Sequence, residues 1–227
     1  MNILALDTAA SACSVALQAG EAVIERIETQ PRRHAASLLP MAEACLAEAG
    51  LALKDLDAVA FGRGPGSFTG LRIAASVAQG IAYGAGLPVT PVSNLAAAAV
   101  AAWRKHGWRQ VLAAFDARMD ELYAATYRLD AAGLPELCGE ERLLMPTALA
   151  PPEGAWFGAG SGFAAWDDLA TRLCLAGCDP LIEPVARDLL GPAAALLAAG
   201  RAVSAAEALP VYLREQVAWQ GGGQGRG

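Results

Sequence analysis

Short apolar runs alternate along the chain with longer stretches of helical period, and breaks rich in glycine or polar residues separate them. The run NILALD, residues 2–7, ends in an acid, and 12–18 and 21–28 follow as strand-like runs with Gly20 as the hairpin turn between them. Residues 33–49 place Leu38, Met41 and Cys45, and beside them Leu39, Ala42 and Leu46, at helical spacing. That stripe is broad enough to meet more than one neighbour; Gly50 supplies its stop, and Pro40 predicts a kink or a split into two helices. A strand is expected over 57–61 and a helix over 71–83, where Gly70, Ala74, Ala78, Ala82 and Gly86 recur every four residues and permit close approach. Residues 88–92 then read as a strand and 95–106 as a helix. Lys105 and His106 at its negative end and Gly107 beyond it account for the stop.

The second half echoes the first. The sequence strand, acid, small turn, returning strand of 3–7 and 13–17 recurs in 111–116 and 121–127, which predicts an α/β chain of two related subdomains, 1–108 and 109–219. A strand at 156–157, the glycine-bearing Gly158, Gly160, Ser161 and Gly162, and helical segments around 167–175 and 187–199 complete it. The glycine-rich tail 220–227 is expected to be flexible.

With 55% hydrophobic and 18% charged residues in 227, the chain can bury a large core. Its net charge of -6 argues against gripping nucleic acid alone, since phosphate neutralisation needs a dense Lys/Arg surface. The charge is uneven: nine Lys/Arg against eight Asp/Glu in 1–109, eight against fifteen in 110–227. No charge interrupts 73–103, but Pro88 and Pro91 with the glycines nearby break any continuous helix there, so no membrane span is expected. Five scattered cysteines and a start without a basic and then apolar leader point to a reduced, cytoplasmic setting. Cys174 and Cys178 lack further ligands nearby, and no metal or cofactor is expected.

A strand ending in an acid, followed by a hydroxyl-bearing turn and a hairpin, resembles the phosphate-holding turns of actin-like phosphotransferases. Asp7, Thr8 and Ser11 fit the first such turn, Asp116 stands where the second would lie, and Gly158 and Gly160 where an adenosine loop would lie. Each of these is also explained as a structural turn. The second turn, Ala117 to Asp120, has no glycine to bring backbone against phosphate, and Arg118 should crowd the space or form an ion pair. The run GRGPGSFTGLR, 62–72, matches neither a P-loop, having no lysine, nor the dinucleotide fingerprint. A tight turn with Ser67 or Thr69 capping the next helix is preferred over an anion cradle.

Taken together, residues 3–8, 14–17, 34–41, 64–73 (GPGSFTGLRI), 116–118 with Glu121 and Tyr123, and 210–214 (PVYLR) resemble the TsaB (YeaZ) family over 1 to about 219. The resemblance implies an actin-like (ASKHA, ribonuclease H-like) fold and a non-catalytic role in forming threonylcarbamoyladenosine next to the anticodon of tRNAs. It also implies a heterodimer with the catalytic paralogue TsaD, the ATPase TsaE as a further partner, tRNA contact only through the complex, and a homodimer when the partner is missing. Where the paralogue carries an HxxxH metal motif, this chain has Asn94 and Ala98, and only His34 and His106 occur anywhere. The same resemblance places the heterodimer bundle on the helices 33–49 and 71–83, with Leu38, Met41, Cys45, Arg72, Ala74, Ala78 and Tyr83 as interface candidates. Core packing explains much of the same pattern. The alternative reading is a self-sufficient ATP-dependent phosphotransferase acting on a small molecule.

Overall fold

Asn2–Asp7 (β1) pairs antiparallel with Cys13–Ala19 (β2), which pairs antiparallel with Ala22–Glu28 (β3) across the Gly20 turn, where φ is +61°. Ala58–Gly64 (β4) and Val89–Ser93 (β5) extend the other side in parallel, giving the order β3-β2-β1-β4-β5. The computed structural model describes residues 1–30, 34–150 and 152–214. The expected helix start at Arg33 and the tail 220–227 lie outside the described residues.

The second sheet repeats the plan. Gln110–Arg118 (β6) and Glu121–Leu129 (β7) form the central hairpin, Pro135–Leu137 (β8) and Arg142–Leu144 (β9) pair antiparallel with β7, and Phe157–Ala159 (β10) and Gly177–Asp179 (β11) add in parallel. The order β8-β7-β6-β10-β11 reproduces that of the first sheet. This is the duplication expected from the echo in the sequence, in the actin-like arrangement that the family resemblance implies.

His34–Ala49 (α1) and Phe68–Ala85 (α2) cover one face of the first sheet, where Leu38, Cys45, Ala74 and Ala78 pack with Leu4, Val15 and Phe61. The small-residue row of α2 therefore faces the chain's own sheet. Of the kink or split expected at Pro40, the split does not occur: α1 is one helix, and the carbonyl that loses its partner belongs to exposed Ala36, so water can take the bond. The helix expected around 167–175 is a single turn, Leu169–Arg172 (α5), next to the equally short Gly162–Ala165 (α4).

Between the sheets lie Asn94–His106 (α3) and Ala186–Ala198 (α6), and each serves the half that is not its own in sequence. Leu95, Ala98 and Ala102 of α3 pack on Val111, Ala113 and Tyr127 of the second sheet; Ala186, Leu189 and Ala193 of α6 pack on Ile3, Ala5 and Ala60 of the first. A division at 108/109 separates the sheets but not the helices, because each sheet has two apolar faces and needs cover on both. Among the described residues no helix is long and apolar enough to cross a membrane.

Candidate functional site

A cleft of about 500 Å³ opens where the C-terminal ends of β1, β4 and β6 meet. Ala9 and Ala10 after β1, Gly66 to Phe68 at the start of α2, and Phe115 to Arg118 on the β6–β7 hairpin form its walls. Asn94 lies at its floor, and Asp116, Arg118 and Glu183 are its charged groups.

Behind the floor sits a sealed polar network. Asp7 is 1% exposed; its Oδ1 accepts the Ala9 N–H at 2.9 Å and its Oδ2 accepts the Asn94 amide at 2.6 Å. The Asn94 Oδ1 in turn accepts the Gly64 N–H at 2.8 Å. Burial pushes the Asp7 carboxyl up to about 6, against the lowering pull of the Ala9 and Asn94 hydrogen bonds. The pair packs so tightly on β4 that a Cβ at Gly62 would lie 2.0 Å from the Asp7 carboxylate. That position cannot hold any side chain, which explains a glycine inside a strand.

The glycine run after it has a similar cause. A Cβ at Gly70 would stand 1.8 Å from the Thr8 carbonyl and one at Gly66 2.8 Å from Ala9, so the first turn of α2 lies directly on the β1–β2 turn. The Thr8 hydroxyl donates to the Gly70 carbonyl at 2.6 Å, Ser67 N–H donates to Ala9 O at 2.9 Å, and the Ser67 hydroxyl caps Gly70 N–H. Donors that an anion would need are in part committed to the fold, in keeping with the turn-and-cap reading.

The nucleotide-site residues expected from sequence are thus dispersed. Asp116 lines the cleft, where Arg118 donates to it through its backbone N–H at 2.7 Å and its guanidinium at 2.9 Å, the ion pair anticipated. Asp7 and Thr8 are buried behind the wall, and Ser11 at the rim donates to Glu183. Gly158 and Gly160 make room instead for the Phe163 ring and for the Ala114 carbonyl and Phe115 ring. The hydroxyl-bearing turn was legible; its burial depends on Gly62, Gly70 and Asn94, which lie far apart in the chain.

Arg63 and Tyr127, which sequence reasoning did not single out, meet on one carboxylate, with Arg63 crossing from the first half to the second, and Arg214 holds the β6–β7 hairpin. Arg63 on β4 donates to Glu141 at 3.0 Å, and the Tyr127 hydroxyl donates to the same carboxylate at 2.8 Å. Arg214 pairs with Glu121 at 2.6 Å and also donates to the Ala117 carbonyl at 3.2 Å. Only the PVYLR string hinted at Arg214.

The expected interface positions divide sharply. Leu38, Cys45, Ala74 and Ala78 are buried in the first core and present no side chain outward, which corrects their selection as contact residues: the helix stripes that singled them out are core stripes. Met41 is half-buried, whereas Arg72 and Tyr83 are exposed, the latter by 86%, with Leu39 and Phe68 as further exposed apolar residues on α1 and α2.

Comparison with known proteins gives consistent matches. A family model described as TsaD, tRNA N6-adenosine threonylcarbamoyltransferase, matches residues 22–215. The tRNA threonylcarbamoyladenosine biosynthesis protein TsaB of Escherichia coli (strain K12) is 44% identical over 225 residues, 97% of each chain. The protein of that name from Haemophilus influenzae is 38% identical over 229 residues, 97% of this chain and 96% of its own. Among solved structures, YeaZ from Pseudomonas aeruginosa is similar with a TM-score of 0.87 at 46% identity, covering 93% of this chain and 99% of that one.

Proposed function

Because the chain belongs to the TsaB (YeaZ) family, we propose that it takes part in forming threonylcarbamoyladenosine on tRNA as a non-catalytic subunit that pairs with and activates a TsaD-type catalytic paralogue. A TsaE-type ATPase completes the assembly, tRNA is met only within it, and the setting is the cytoplasm.

The observation that carries the non-catalytic reading is the pair Asn94 and Ala98, one turn apart on α3 where the paralogue's two histidines would stand. Ala98 offers only a methyl group, and both ends of the Asn94 amide are spent on Asp7 and Gly64. Such a pair cannot grip a metal ion. The phosphotransferase alternative loses support from the same region, since Asp7 is sealed beneath the cleft and Arg118 occupies the second turn's acid. For pairing, the exposed side of α1 and α2 is the available surface: Leu39, Arg72 and Tyr83 replace the buried positions as contacts.

Reconstitution tests the reading. This chain, the catalytic paralogue and the ATPase are combined with tRNA and the threonylcarbamoyl donor, and modified nucleoside is measured with each protein omitted in turn. Omission of this chain is expected to abolish most product. Full modification without it would remove the partner role, and modification by this chain alone would overturn the non-catalytic assignment.

A further inference from the structure

The last described segment of the chain, 201–214, is anchored on the first half and ends on the second. Val203 exchanges both backbone hydrogen bonds with Val89, at 2.9 and 2.8 Å, and Ala208 is buried in the first core. Val211 N–H donates to the Arg63 carbonyl at 2.7 Å, and a side chain at Gly64 would collide with the Val211 carbonyl. The Tyr212 ring packs on Phe68 of α2 with centroids 5.4 Å apart, and its hydroxyl accepts from Arg72 Nε at 3.1 Å while Arg72 covers the Phe68 face. Two residues later Arg214 reaches the opposite wall of the cleft. There it pairs with Glu121 and donates to the Ala117 carbonyl.

What Arg214 holds is a hairpin under strain. Arg118, Met119 and Asp120 have φ of 61°, 56° and 59°, three consecutive left-handed residues without a glycine, next to a register shift in β6. Each carries a cost on the order of 1 kcal/mol in that region. The bulge turns the Ala117 carbonyl out of the ladder, and a planar guanidinium can bind that carbonyl and a carboxylate together, which an ammonium does less well.

We infer that residues 203–214 form a strap that couples the first turn of α2 to the β6–β7 hairpin, so that loosening either end loosens the other across the cleft. Tyr212 and Arg214 are its two grips, and the ring contact and hydrogen bond of Tyr212 are to Phe68 and Arg72 of the first half.

Hydrogen exchange on the full chain tests this with the amides of 117–121 and of 68–72 as reporters and the β2–β3 hairpin as control. Arg214→Ala is expected to speed exchange at 117–121 by about tenfold or more, and Tyr212→Ala, which leaves every group at the hairpin in place, to speed the same amides by at least about threefold. Neither change should alter the control. The double variant should fall short of the product of the single effects, because both act through one strap. An unchanged hairpin in Tyr212→Ala, or equal acceleration everywhere, overturns the inference. Should Arg214→Ala not fold, Arg214→Lys keeps the charge and is expected to give a smaller rise at 117–121; no rise there counts against the coupling.

Discussion

Asp7 carries its consequences in its proton affinity. Its carboxyl is raised from 3.8 to about 6 because burial disfavours the charge more than the Ala9 and Asn94 hydrogen bonds favour it. Well below pH 3.8 the folded and unfolded states are both protonated, and the group costs nothing. As pH rises through 4 to 6 the unfolded state ionises first, so this residue's contribution to stability falls, by roughly 3 kcal/mol in all, and stays lost above that range. Urea unfolding of wild type and Asp7→Asn between pH 4 and 7.5 should show the variant gaining relative to wild type by about that amount as pH rises. A constant difference across the range would mean that Asp7 is ionised in the folded chain throughout. A variant at neighbouring Gly62 would perturb the same network by collision, so it is a poorer probe.

At the scale of the element, α2 contains glycines with opposite meanings. Gly70 lies against the Thr8 carbonyl with no room for a Cβ, whereas Gly80, in the middle of the helix, has nothing within 4 Å. Gly70→Ala should therefore lose about 2–4 kcal/mol, since backbone must move on one side. Gly80→Ala should gain about 0.5–1 kcal/mol by lowering the entropy of the unfolded chain in a helix interior. Denaturant midpoints of the two variants check this, and shifts of the same sign would contradict it. The four-residue spacing that includes Gly70 was plain in the sequence. Which surface it met was not: it met the sheet, and so Ala78→Asp would bury an unpaired carboxylate and cost several kcal/mol of stability rather than report on a partner.

For the whole molecule, two sheets of identical strand order enclose α3 and α6, and the outer face of α1 and α2 is left as the broad exposed helical surface. Tyr83→Ala and Leu39→Ser change exposed side chains there and should leave folding intact. Each is expected to weaken binding to the catalytic paralogue by about tenfold, a loss typical of a well-placed interface residue. Calorimetric titration against the purified paralogue measures it. Unchanged affinity in both variants would move the contact away from this face.

The succession of strands and helices in the first half, the echo between halves, a cap at Ser67 or Thr69, the stop at Gly107 and the family itself could be read from local patterns, because hydrophobic period and turn chemistry act over a few residues. The roles of individual site residues could not. Asp7 fits both a phosphate-holding turn and a structural turn until Asn94, 87 residues away, and Gly62 are seen closing over it, and Leu38 and Ala78 fit contact positions until the sheet beneath them is in place. Burial and pairing are properties of distant segments brought together, and a helical stripe is equally apolar whether it faces its own sheet or another chain. The sequence determined the architecture and the family; only the tertiary structure decided which polar groups are sealed, which faces are open, and that Arg214 ties the two walls of the cleft.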